Sequence, residues 1–193
     1  MPSSQAGAKT ALRDALLTSR RRRGPAGVAA ATRARTSHLL ASPEARRAAL
    51  VAAYVSVGSE PGTTVLLDEL RAGGRRVLLP VLLADGDLDW APYDGPGSLV
   101  PAGRGLLEPA TARHGTDAIA AADLVVVPGL AVDAAGHRLG RGGGSYDRAL
   151  ARVRVGTPTW VLLHADELDR DVPVEPHDRR VTGAVTEDGV VRF

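Results

Sequence analysis

"LVAAYVSVGSEPGTTVLLDELRAGGRRVLLPVLL", residues 50–83, decides the fold. It opens on "LVAAYVSV" (50–57), an apolar run too short for an independent helix and closed by Gly58. "TTVLLDELRAGG" then spaces its apolar residues as a helix of about three turns does and ends on two glycines. "RRVLLPVLL" (75–83) is a second short apolar run. Strand, helix and strand in so compact a stretch make a crossover unit, which lays two strands parallel in one sheet.

The pattern continues outward. "ADLVVVPG" (122–129) and "PTWVLLH" (158–164) read as a third and a fourth strand, with a helix starting near Ser145 between them. Apolar runs without alternation mark strands buried on both faces. Upstream, residues 9–22 and 27–40 read as helices separated by Gly24 and Pro25, and "SPEARRAAL" offers Ser42 as a cap with Pro43 and Glu44 in the first turn. Residues 84–115 are richer in Gly, Pro and Asp, and "LDWAPY" reads there as a short, more exposed strand pair. The terminal "VTGAVTEDGVVRF" reads as two strands joined around Glu187, Asp188 and Gly189. The expectation is an open, Rossmann-like, three-layer α/β fold, its mostly parallel sheet covered by helices on both faces. It is expected as a single domain over 1–193, with a helical N-terminal part about 8–50 and an α/β body about 50–193.

Composition narrows the function classes. A chain of 193 residues can bury a real core, and a monomer is expected. The absence of cysteine excludes a disulfide framework, thiolate catalysis and cysteine-ligated metal. The N-terminus lacks the apolar core of a signal peptide, and no window approaches the roughly 18 apolar residues of a membrane span. A soluble, cytoplasmic protein is expected, with no membrane partner. Net charge is only +2, every basic residue except Lys9 is arginine, and aromatics at 3% argue against a stacking platform for nucleic acid. "SRRRR" (19–23) is the one basic cluster; its reading is a solvated helix end complementing the macrodipole, with phosphate contact as the other reading.

"GHRLGRGGGSYDRAL", residues 136–150, carries the chemistry. Glycines between a strand and a helix let backbone N–H groups and a helix N-terminus cradle an anion. Arg138, Arg141 and Arg148 add guanidinium donors suited to phosphate oxygens, and Asp147 is a hard oxygen ligand available to Mg²⁺. "GRGGGS" breaks G-x-G-x-x-G at its last position, and Lys9 in "GAKT" lacks the Walker A spacing. From the glycines alone a purely structural turn stays an equal reading; the arginines and Asp147 favour a polyphosphate.

The longer stretch "VPGLAVDAAGHRLGRGGGSYDRAL" (127–150) resembles the signature of the 5-formyltetrahydrofolate cyclo-ligase family. Ordered matches run along most of the chain: "KTALR" (Lys9, Arg13), "SEPGTT" (Glu60, Thr63), "LLEP" (Glu108, Pro109) and "PHD" (His177, Asp178) resemble further markers of that family. The resemblance implies an ATP- and Mg²⁺-dependent enzyme that converts 5-formyltetrahydrofolate to 5,10-methenyltetrahydrofolate and releases ADP and phosphate. It implies ATP and the folate as partners, and no nucleic acid.

Carried over residue by residue, the resemblance assigns ATP binding to Lys9, Arg13, Arg138, Leu139, Gly140, Arg141, Gly142, Gly143, Gly144, Ser145 and Tyr146. It assigns the folate to Val55, Glu60, Arg141, Gly143 and Ser145, and Mg²⁺ to Asp147 and Asp178. Arg141, Glu60 and Arg148 are the expected catalytic groups. Where the family often reads "GYGGGYYD" this chain reads "GRGGGSYD", with Arg141 and Ser145 in place of two aromatics. Trp90 is a candidate pterin or aminobenzoate contact, with a core tryptophan as the equal reading. Two other classes fit parts of the pattern. A non-catalytic nucleotide-sensing or RNA-binding relative would use "SRRRR" and the arginine loop, and a sugar-phosphate or acyl-group enzyme would bind phosphate without needing Glu60.

Overall fold

The computed structural model describes residues 4–193. Three helices lead: α1 (Ser4–Arg21), α2 (Pro25–Ala41) and α3 (Pro43–Arg47). Pro25 and Pro43 each stand in a first turn, where a missing N–H costs nothing. Ser42 caps α3: its Oγ accepts from the Ala45 N–H at 3.2 Å and donates to the Leu39 carbonyl at 2.6 Å, joining the end of α2 to the start of α3.

The crossover unit follows as β1 (Leu50–Ala52), α4 (Thr64–Ala72) and β2 (Arg76–Leu82). β1 pairs in parallel with β2, Val51 opposite Val77. The strand is shorter than the apolar run, because the chain leaves the ladder after Ala53 and residues 54–57 turn toward the edge of the sheet. Val55 is therefore a half-buried edge residue. β3 (Leu88–Pro92) returns antiparallel to β2 through a turn at Gly86. This corrects the reading of "LDWAPY": it is one strand, and it is buried, with Trp90 fully covered and packed with Leu88, Ile119 and Ala149. The exposed strand pair lies further on, as the hairpin of β4 (Leu99–Pro101) and β5 (Leu107–Pro109).

β6 (Leu124–Pro128) lies parallel to β1 on its other side, and Asp123 accepts the N–H groups of Ala49 and Leu50 at 2.9 Å each. A small hairpin of β7 (Ala131–Val132) and β8 (Arg138–Leu139) precedes α5 (Ser145–Leu150). β9 (Thr159–Leu162), β10 (Gly183–Thr186) and β11 (Gly189–Arg192) complete the main sheet, in the order β11-β10-β9-β6-β1-β2-β3. The four central pairings are parallel and the two outer ones antiparallel. The C-terminal hairpin is as the sequence predicts.

Side chains alternate across the strands. Val51, Val77, Leu79, Val126 and Leu162 meet Leu39 of α2 and Leu66, Leu67 and Leu70 of α4 on one face. Ala52, Leu78, Val125, Val127 and Val161 meet Ala149 and Leu150 of α5 and Ile119 on the other. Three layers result. α1 packs apart from both, with Leu16 against Leu130, Ala131 and Leu139.

Its C-terminal end corrects the reading of "SRRRR". Arg20 is buried, donating to Glu167 Oε1 and Oε2 at 2.7 and 2.8 Å and to the Gly129 carbonyl at 2.7 Å. Arg23 pairs with Asp166, so Arg21 and Arg22 alone of the four remain exposed cations. A helix end that docks by burying a guanidinium needs a carboxylate from elsewhere in the fold, which local sequence does not reveal. No helix among the described residues is long and apolar enough to cross a membrane.

Candidate active site

At the carboxyl ends of β1, β2 and β6 the chain encloses a cavity of ≈ 310 Å³. Open α/β sheets place ligands at this edge, where neighbouring strands send their connections apart. β1 contributes the segment from Tyr54 to Glu60, β2 contributes Pro80 and Leu82, and β6 contributes Pro128 and Gly129. The glycine loop between β8 and α5 forms one wall and the β4–β5 hairpin the opposite one.

The loop's course requires glycine at two points. Gly142 has φ +96° and Gly144, which caps α5, has φ +68°, a region that side chains with a Cβ rarely adopt. Arg13 of α1 lies against this loop, its Nε donating to the Gly140 carbonyl at 2.8 Å. Arg141 reaches from the loop to Glu60, Nε to Oε1 at 3.1 Å. Glu60 itself is held by the Val57 N–H, which donates to Oε2 at 2.8 Å. A carboxylate and a guanidinium thus face one another inside the cavity, the carboxylate largely covered and the guanidinium about half exposed.

Arg138 is buried below the loop, with Nη2 3.2 Å from Asp147 Oδ1 and Nη1 donating to the Pro128 carbonyl at 3.2 Å. Its guanidinium also lies over the Tyr146 ring, 5.9 Å from the centroid. Burial pushes the Tyr146 and Tyr54 hydroxyls up in pKa, and the nearby Glu60 charge adds to both, so both phenols stay protonated.

Of the residues singled out in the sequence, Val55, Glu60, Arg138, Gly140, Arg141, Gly142, Gly143, Gly144, Ser145, Tyr146 and Asp147 line this cavity. Leu139 does not: its side chain packs with Leu16 and Leu130, so only its backbone belongs to the loop. Ser145 donates to the Gly86 carbonyl, and Arg148 donates to the same carbonyl at 2.6 Å from an exposed position outside the cavity lining. Trp90 is a core residue.

Lys9 and Asp178 come together beside the loop. Lys9 Nζ sits 2.7 Å from both Asp178 Oδ2 and Glu175 Oε2. Burial works against the Lys9 ammonium, but the hydrogen bonds and charges of Asp178 and Glu175 outweigh it and raise its pKa. Burial likewise works against the Asp178 carboxylate, yet Lys9, the Glu175 N–H and His177 hold it below the ordinary range. The segment carrying Asp178 also touches Asp147, whose Oδ1 accepts from the Arg179 N–H at 3.2 Å. Glu175, His177 and Asp178 present ligand atoms within 4.8 Å of one another.

Sequence reasoning missed Glu175, although a second acid three residues before Asp178 was its signal. It gave Glu108 no role. Glu108 lines the cavity and its Oε1 accepts the Leu82 N–H at 2.9 Å, fastening the β4–β5 hairpin to the end of β2. Tyr54 and the hairpin residues Arg104, Leu106 and Leu107 complete that wall.

Comparison with known proteins places this architecture. The model of the 5-formyltetrahydrofolate cyclo-ligase family matches residues 5–187. The 5-formyltetrahydrofolate cyclo-ligase of Mycolicibacterium smegmatis is 43% identical over 186 residues, covering 92% of this chain and 93% of the relative. That of Escherichia coli K12 is 32% identical over 163 residues, covering 83% and 87%. The solution structure of Aquifex aeolicus 5,10-methenyltetrahydrofolate synthetase superposes with a TM-score of 0.81 at 27% identity, covering 95% of this chain and 92% of that one. The chain belongs to the 5-formyltetrahydrofolate cyclo-ligase family and is an enzyme of that family.

Proposed function

We propose that this enzyme uses ATP and Mg²⁺ to convert 5-formyltetrahydrofolate to 5,10-methenyltetrahydrofolate, releasing ADP and phosphate, and that it acts as a cytoplasmic monomer. The observation that carries the reading is the Arg141–Glu60 contact across the cavity. It sets a phosphate-seeking cation from a glycine loop beside a carboxylate suited to a pterin's N–H groups, and both are needed where a formyl oxygen meets a phosphoryl group.

The chemistry explains the demand. A formamide oxygen is a poor leaving group, so it attacks the γ-phosphorus and displaces ADP. The nitrogen at position 10 then attacks the formyl carbon of the imino phosphate, loses its proton, and phosphate departs as the ring closes. Protein groups need chiefly to align oxygen with phosphorus and to offset charge. Backbone N–H groups from Gly140 to Ser145 would seat the phosphates, and Arg141 would follow the transferring group from ATP toward the folate. Arg13 supports the loop from behind through the Gly140 carbonyl. Lys9 would exchange a carboxylate partner for a phosphate oxygen. Arg148, in the last turn of the short helix α5, adds positive charge at the loop's outer side.

Asp147 and Asp178 are hard oxygen donors on adjoining segments and fit the one or two carboxylates that Mg²⁺ takes beside phosphate oxygens; Asp147 engages its polar neighbours through Oδ1, while Asp178 uses Oδ2 for Lys9 and the Glu175 N–H and has Oδ1 3.8 Å from His177 Nε2. When bound there, the ion would neutralise charge on the transferring phosphoryl group. Val55, Gly143 and Ser145 would border the folate.

The test is the absorbance of the methenyl product formed from 5-formyltetrahydrofolate, Mg²⁺ and ATP, beside a control without ATP and the Glu60→Gln variant. ATP-dependent product that falls about 100-fold in the variant supports the assignment. Folded protein that binds ATP and forms no chromophore overturns it.

A further inference from the structure

Three arginines line the cavity, and two of them are engaged: Arg138 by Asp147 and the Pro128 carbonyl, and Arg141 by Glu60. The third, Arg104, has no side-chain hydrogen bond or ion pair among the described residues. It stands on the connection between β4 and β5, exposed, between Gly103 and Gly105. Its backbone is held at φ 59° and ψ 23°, the left-handed region that an arginine enters at a cost. Its position is nevertheless well supported. The Ala102 N–H donates to the Leu106 carbonyl at 2.9 Å across the turn, and Glu108 ties the hairpin to β2. Glu108 is the acidic side chain of this wall, and one of its oxygens is already taken by the Leu82 N–H.

The surroundings specify what Arg104 meets. On the β2 side the cavity is apolar, walled by Pro80, Leu82, Leu88, Leu106 and Leu107. The glycine loop runs from the β6 side, where Arg138 donates to the Pro128 carbonyl, to the β2–β3 turn, where Ser145 donates to the Gly86 carbonyl. A ligand for the apolar side is flat and largely carbon-bound, with polar atoms at the Glu60 end and an anion at the hairpin end. A reduced folate has that form, since its bicyclic ring and aminobenzoyl group lead to a glutamate bearing two carboxylates. An unpaired, planar guanidinium is the side chain best matched to a carboxylate, through two parallel charge-assisted hydrogen bonds.

Resting on the folate reading above, we propose that Arg104 recognises the glutamate carboxylates of the substrate, and so sets the enzyme's preference for glutamate-bearing folates. It does so by binding alone and takes no part in phosphoryl transfer. Removing it therefore weakens ground-state and transition-state binding equally, raising KM without lowering kcat.

The experiment compares 5-formyltetrahydrofolate with 5-formyltetrahydropteroate, which lacks the glutamate. Binding of each, and of ADP, is measured by calorimetry in the wild type and in Arg104→Gln and Arg104→Lys. The expected result is about tenfold weaker binding of the folate to Arg104→Gln, partial recovery in Arg104→Lys, and unchanged affinity for the pteroate and for ADP. Equal weakening of folate and pteroate, unchanged folate binding, or weakened ADP binding would each overturn the proposal, the last by moving Arg104 to the nucleotide. Because the readout is binding, the two readings fail separately. A wild type that distinguishes the ligands through Arg104 but forms no methenyl product refutes the reaction and keeps the contact, whereas turnover with unchanged folate affinity in Arg104→Gln refutes the contact alone.

Discussion

Replacing Glu167 by alanine removes the partner of a guanidinium that has nowhere else to go. The Arg20 and Glu167 side chains are 0% and 1% exposed. Two charge-assisted hydrogen bonds of 2.7 and 2.8 Å join them, and Glu167 Oε2 also accepts the His164 N–H at 2.9 Å. In Glu167→Ala, Arg20 keeps its charge and one bond, to the Gly129 carbonyl. Leaving one member of a buried ion pair uncompensated costs about 3–5 kcal/mol. For a chain of this length each kcal/mol shifts Tm by roughly 2–4 °C, so a fall of roughly 6–20 °C is expected. Urea denaturation followed by circular dichroism measures the loss directly, and the Arg20→Met, Glu167→Leu double variant should recover most of it by removing both charges. A loss below about 1 kcal/mol, the range of solvated surface pairs, would falsify the burial argument. The site depends on this pair as well. It pins the C-terminal end of α1 to Gly129 at the cavity edge, while the preceding turns carry Lys9 and Arg13 toward the loop.

Three further outcomes are expected. Burial, aided by Arg35, lowers the His164 pKa to about 4, so from about pH 6.5 downward the unfolded chain binds a proton that the folded one refuses. Stability should fall as pH drops from 6.5 toward 4, and His164→Gln should flatten that stretch of the denaturation profile. Gly142→Val places a β-branched residue at φ +96°, with its Cβ 3.4 Å from Arg13 Cζ; calorimetry should show ATP binding about tenfold weaker with little change in Tm, since the loop is exposed. Lys9→Met leaves Glu175 and Asp178 as a carboxylate pair with only the more exposed His177 nearby. ATP affinity should drop roughly tenfold, and the stability deficit at pH 7 should shrink toward pH 4 as one carboxylate protonates.

How much was legible in advance follows from the range of the interactions. The Ser42 cap, the Gly24–Pro25 break and the C-terminal hairpin rest on contacts within a few residues, and the crossover unit from Leu50 to Leu83, whose strands pair across 26 positions, shows in the local pattern of its apolar runs. The glycine loop is of the same kind, because left-handed backbone at Gly142 and Gly144 demands a residue without a side chain. Trp90 was ambiguous because a large aromatic suits a core and a ligand wall equally. Its register opposite Pro80, which seats it above α5, settled that.

Composition and local pattern alone determined an α/β chain with parallel strands, a glycine-rich loop between a strand and a helix, and a set of arginines and carboxylates in a particular order. Tertiary structure alone decided who meets whom. Lys9 finds Asp178 across 169 positions, Arg20 finds Glu167 across 147, and Arg141 finds Glu60. A carboxylate's partner depends on which loops the strand order brings to one edge of the sheet, and that order is chosen by the packing of both apolar faces at once. The same choice left Arg104 on the cavity wall without a side-chain partner among the described residues.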